Sequence, residues 1–129
     1  MKLYDYIEEI DISKYDLNWA EQIVCGANNA YDLGITRDDV KMAASLGGGM
    51  AVRGACGAMV GAVLIIGRVK AVSGGHFCPS LKLIVKEYIH RFEEELESQN
   101  CDELREIHNK DCRMIIDVAA KILDEVLEK

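Results

Sequence analysis

Proline is almost absent from this 129-residue chain, which holds one, Pro79, and aromatic residues make up only 6% of it. With so few obligatory breakers, helices can run at length. Basic residues are outnumbered, 15 Lys and Arg against 22 Asp and Glu, for a net charge of −7. No basic stripe is available to displace phosphate counterions, which disfavours nucleic-acid binding. The longest apolar run, Ala55 to Ile66, is interrupted by Gly57 and Gly61. It falls short of the roughly 20 residues a membrane span requires. The opening MKLYDYIEEIDISK turns acidic at once and lacks an apolar signal core, so a cytoplasmic chain is expected.

Motif absences narrow the chemistry. No CxxC, CxxCH or CxxC…CxxC occurs, which leaves zinc fingers, thioredoxin-type motifs and covalent haem unsupported. No GK[ST] follows the glycines and no strand precedes them, against a phosphate cradle. A nucleophile elbow and a paired His/Asp motif are missing too, so a hydrolase or transferase is a distant reading.

What is present is helical periodicity. A short helix is expected near Lys2–Ile10, and a stronger one from about Leu17 to Tyr31, with Ala20, Ile23, Val24, Ala27 and Ala30 at helical spacing and Gly34 as its stop. Thr36 caps a predicted helix through DDVKMAASL. An apolar helix follows from about Gly54 to Val69, then a loop at Ser73–Gly75 and an amphipathic helix from Pro79 to Ser98. Asn100 and Glu103 have the spacing of a capping box that opens a short helix, CDELREIH. Asn109 is the expected cap of a last helix whose apolar face includes Met114, Ile115, Val118, Ala119, Ile122 and Val126. The reading is an all-α, single-domain bundle of about five to seven helices over residues 1–129, with a glycine-rich central segment.

The five cysteines are Cys25, Cys56, Cys78, Cys101 and Cys112. An odd count in a reducing compartment argues against a disulfide framework. Cys56, Cys101 and Cys112 each fall near a predicted helix start, with Gly54, Asn100 and Asn109 as cap candidates. Free amide N–H groups and the positive dipole end stabilise a thiolate there. Asp102, Glu103 and Asp111 work against this, and Arg53, Arg105 and Arg113 offset them. A thiolate serves both thiol chemistry and soft-metal ligation. Cys25, mid-helix, reads as a small buried hydrophobe. Cys78 is in a loop. Gly57 and Gly61, with Ala58 and Ala62, form a small-residue face for close helix packing, within the subunit or against a twin in a homodimer. Gly48 and Gly49, with Gly57, are candidates to approach a thiol or cofactor through backbone amides.

At these residues the sequence resembles the family of redox-active proteins named for its pattern C-GCAxxG-C-C. The matching core is Gly47-Gly48-Gly49-Met50 followed by Cys56-Gly57-Ala58-Met59-Val60-Gly61-Ala62, then Cys101 and Cys112, over about residues 16 to 127. The resemblance implies a small helical domain whose four cysteines serve electron transfer or metal binding, with an unidentified redox partner protein. The fold also looks like the helical N-terminal domain of split-Soret cytochromes c, which implies an iron–sulfur cluster or other thiolate-bound metal. One departure stands out. The family's first cysteine follows Asn and precedes Ala-Glu, and here Asn18-Trp19-Ala20-Glu21 occupies that place. Tryptophan cannot ligate iron. Cys78 or Cys25 is the candidate substitute, and His76, His90 and His108 could supply nitrogen.

Two functions follow from the residues. One is a redox or metal-binding protein using Cys56, Cys101 and Cys112, with Cys78 as a further ligand. A dithiol–disulfide cycle within it needs only two of them, with α-carbons within about 7 Å. The other is a noncatalytic helical interaction protein that kept the fold and lost the redox centre, Trp19 filling its space.

Overall fold

The computed structural model describes residues 17–71, 74, 78–109 and 111–128, and of Cys112 the backbone alone. Among these, six α-helices form: α1 (Trp19–Tyr31), α2 (Arg37–Val40), α3 (Gly57–Lys70), α4 (Pro79–Leu96), α5 (Cys101–Ile107) and α6 (Cys112–Leu127). The fold is all-α, and no helix among the described residues is long and apolar enough to cross a membrane. The helix expected at Lys2–Ile10, most of the loop at Ser73–Gly75, and His76 lie outside the described residues.

Helix α1 starts where its capping box places it. The Asn18 side chain accepts from Glu21 N–H at 2.8 Å, and Glu21 Oε1 accepts from Asn18 N–H at 3.1 Å. It ends at Asp32, in the left-handed region at φ 52°, and not at the expected Gly34, which comes two residues later. Asp32 N–H closes the helix on Asn28 O.

Thr36 and Asp39 form the second capping box. The helix it opens lasts one turn and tightens into a 3₁₀ segment over Lys41–Leu46, where a continuous helix was expected. The segment ends against α1, where Asn18 Nδ2 donates to Ala44 O at 2.9 Å and approaches Ala43 O at 3.5 Å, taking carbonyls that a further turn would use.

Helix α3 is apolar nearly all round and runs through the core, with Arg68 and Lys70 at its negative dipole end. It packs on α1, α4 and α6. Helix α4 contributes Tyr88, Phe92 and Leu96, a stripe at four-residue spacing that is almost wholly buried. It stops at Leu96, two residues before the expected Ser98, because Glu97 turns left-handed. Helix α6 buries Ile115, Ile116, Ala119, Ala120, Ile122, Leu123 and Val126. Met114 and Val118, expected on that face, are partly buried against it. At the far end of α1, Tyr31 Oη donates to the buried Asp124 Oδ1 at 2.5 Å, tying α1 to α6.

Candidate functional site

The site is built around a single rung of antiparallel pairing. Ala55 faces Asn100 in an isolated β-bridge. Its two flanking bonds are donated by cysteine amides, Cys56 N–H to Gln99 O at 2.8 Å and Cys101 N–H to Gly54 O at 2.6 Å. Two cysteines 45 positions apart therefore enter the structure at one place. The rung makes their backbones diagonal neighbours, a relationship that in a regular ladder spans about 7–8 Å.

Both residues pass directly from the rung into a helix. Cys101 is the first residue of α5, which Asn100 caps by accepting from Glu103 N–H at 3.1 Å. Only this half of the expected capping box forms, since the Glu103 carboxylate accepts from Ser98 Oγ at 2.6 Å instead. Cys56 is itself the N-cap of α3, the place expected for Gly54, and its carbonyl accepts from Val60 N–H at 3.0 Å. Cys112 opens α6, capped by Asp111 rather than the expected Asn109, through Met114 N–H at 3.1 Å. Asp111 has its carboxylate one residue ahead of the helix, whereas Asn109 turns left-handed at φ 53° outside it.

Cys56 and Cys101 face different surroundings. Cys56 is wholly buried in the core, close enough to Tyr88 to disfavour ionisation of its phenol. Burial first, then Cys56 and Tyr31, hold the Tyr88 phenol proton well above its usual range. Cys101, 6% exposed, lines a cavity of about 360 Å³. Trp19 and Gln22 of α1 line it on one side, Gly48 and Gly49 on another, with Gly57 at the start of α3. Arg105, one turn after Cys101 on α5, completes its rim. The glycines expected to approach a thiol thus lie around Cys101.

Gly49 is the tightest of them. At φ +63°, a Cβ there would fall 2.5 Å from Gly54 N and 3.0 Å from Cys101 Cβ. The turn Gly49–Arg53 that follows carries Met50, Ala51 and Arg53 in the left-handed region, a strained path for side-chain-bearing residues. It is closed by Gly54 N–H to Gly49 O at 2.9 Å and fastened by Asn100 Nδ2 to Arg53 O at 3.1 Å. The exposed Arg53 and Asp102 pair across the outside at 3.6 Å.

The other candidates are elsewhere. Cys78 is a buried N-cap of α4, outside this cavity. Cys25 is half-buried on α1, where burial pushes its thiol up, with Arg37 lowering it and Glu21 adding to the rise. His90 pairs with Glu94 at 3.0 Å on the surface, and His108 donates from Nε2 to Leu96 O at 2.9 Å. Cys25, Cys56, Cys78 and Cys101 are all free thiols. Among the described residues no group of three or more His, Cys, Asp or Glu is placed to hold a metal ion. Cys56, Cys78 and Cys101 therefore do not make a three-thiolate cage by themselves. Trp19 stands where the resemblance places the family's first thiolate, and the Cys112 side chain lies outside the described residues.

Sequence reasoning missed Gln22, and read Arg105 only as a charge offsetting the acidic neighbours of the cysteines. Each had a positional signal, Gln22 three residues after Trp19 and Arg105 four after Cys101, spacings that share a helix face.

A family model described as "Putative redox-active protein (C_GCAxxG_C_C)" matches residues 17–126. No curated protein and no solved structure shows a significant match. With the match covering most of the chain and both central cysteines inside it, the protein belongs to the C_GCAxxG_C_C family of redox-active proteins.

Proposed function

We propose that the chain is a thiol redox protein in which Cys56 and Cys101 form the working dithiol. The observation that carries this reading is the β-bridge, in which each cysteine's amide is bonded to the strand bearing the other. A dithiol needs two sulfurs, and these are the two whose backbones are registered against each other. The diagonal spacing is a little longer than the α-carbon separation of a relaxed disulfide, so closure requires a small twist of the rung. In the cycle, an external disulfide accepts two electrons and two protons and leaves as two thiols. The Cys56 and Cys101 sulfurs lose their protons and join.

Cys101 is the attacking group because it borders the cavity, and the enclosed Cys56 resolves the mixed disulfide. A metal-free cycle also fits Trp19, which removes one thiolate from a cluster and none from this pair. The alternative of an interaction protein without a redox centre has Trp19 filling the vacated space. The 360 Å³ beside Trp19 favours a retained site.

The test is oxidation of the reduced protein with diamide, differential alkylation and peptide mapping. A Cys56–Cys101 cross-link that precedes modification of Cys25 is expected. Continued alkylation of both residues, or stoichiometric metal in anaerobically purified protein, would overturn the reading.

A further inference from the structure

The cavity beside Cys101 contains an acceptor with nothing to accept. Gln22 is 4% exposed, lines the cavity, and has no hydrogen-bond partner at Oε1. Its Nε2 is fixed by donation to Leu17 O at 3.0 Å, which sets the amide with its oxygen free. Leaving a buried acceptor unmade is costly, so such a group marks a place where a donor is expected. Across the cavity Arg105 is exposed and has no ion-pair partner among the described residues. The space thus offers an acceptor for an N–H, a guanidinium for a carboxylate, the Trp19 side chain, and a thiol.

Those four features together describe one ligand class. We propose that the cavity binds a low-molecular-weight disulfide of the amino-acid or short-peptide type, and that Cys101 exchanges with it. An amide or ammonium N–H of the ligand donates to Gln22 Oε1, its carboxylate meets Arg105, and its sulfur reaches Cys101. In the exchange the Cys101 thiolate attacks one sulfur of the ligand. A new protein–ligand S–S bond forms, the ligand's own S–S bond breaks, and the departing thiolate takes the proton that Cys101 gave up. No further oxidant is needed. The inference rests on the thiol reading above and names the substrate class of that site.

The reduced protein is mixed separately with oxidised glutathione, with cystine and with 2-hydroxyethyl disulfide, which has neither N–H nor carboxylate. Oxidation of Cys101, as the mixed disulfide or after its resolution as a Cys56–Cys101 bond, is followed by intact mass and peptide mapping. Oxidised glutathione or cystine is expected to react roughly tenfold faster than hydroxyethyl disulfide, the size of two modest polar contacts. Which of the two is faster identifies a peptide or an amino-acid ligand. Arg105→Ala and Gln22→Met each reduce the preference, and Arg105→Ala, on the surface, decides alone if Gln22→Met melts early. Equal rates for all three reagents, or a Cys101 that stays reduced, would overturn the inference. A diamide-induced Cys56–Cys101 bond in that same protein would leave the dithiol reading standing.

Discussion

A Cβ on Gly61 would lie 2.9 Å from the carbonyl oxygen of Ala20 and 3.0 Å from its Cα. Helices α1 and α3 therefore meet backbone to backbone, closer than any side chain allows. Gly61→Ala is expected to lower stability by about 1–3 kcal/mol through overpacking. Gly67→Ala, on the same helix with nothing within 4 Å of its Cβ, is expected to raise it by about 0.4–1 kcal/mol. Urea denaturation of the two variants checks this, and shifts of one sign would contradict the close approach.

Gly48 and Gly49 separate two effects. Both have positive φ, but an added Cβ meets nothing at Gly48 and strikes Gly54 N and Cys101 Cβ at Gly49. Gly48→Ala is expected to cost only backbone strain, about 1 kcal/mol, and to keep the alkylation rate of Cys101. Gly49→Ala must push the Gly54–Cys101 rung apart and make Cys101 react faster. Timed iodoacetamide labelling distinguishes them.

Losing the α5 cap should be felt at the same place. Asn100→Ala removes the Glu103 N–H acceptor and the clamp on Arg53 O. A loss of about 1–2 kcal/mol is expected, with faster amide exchange at Cys101. Asp111→Ala, which uncaps α6 instead, is expected to cost about 1 kcal/mol without that change in exchange.

Alkaline stability reports on Tyr31. Burial, then the bond to Asp124 and its charge, hold the Tyr31 phenol proton far above the usual range near 10. The folded value being raised, this contribution is complete below pH about 10 and is lost as pH rises beyond it, since the unfolded phenol ionises first. Tyr31→Phe is expected to cost about 1–2 kcal/mol at neutral pH and to soften the decline above pH 10. An unchanged alkaline limb in denaturation curves would contradict this.

Much of the helical frame was legible because local chemistry agrees with it. Thr36, with Asp39 in the first turn, and Pro79 at the first position of α4 each mark a start that the structure keeps. The misread stops have one cause: Asp32 and Glu97 take left-handed conformations that sequence patterns assign to glycine. The end of the following segment at Leu46 was hidden because Asn18, over twenty positions away, takes the Ala44 carbonyl that a further turn would use. In the site, the glycines and cysteines were visible by type. Their meeting was not, since a one-rung bridge leaves no alternation to read. Gln22 looked like an ordinary polar residue, and only the fold shows that its oxygen is enclosed and unmatched.

The rung between Ala55 and Asn100 also constrains how this chain can vary in length. A deletion between Glu97 and Asn100 that slipped the pairing by one residue would turn the Cys101 side chain to the other face of the rung. The short connector from α4 to α5 is thus a measured spacer, and deletions there should be as damaging as replacing the sulfur itself.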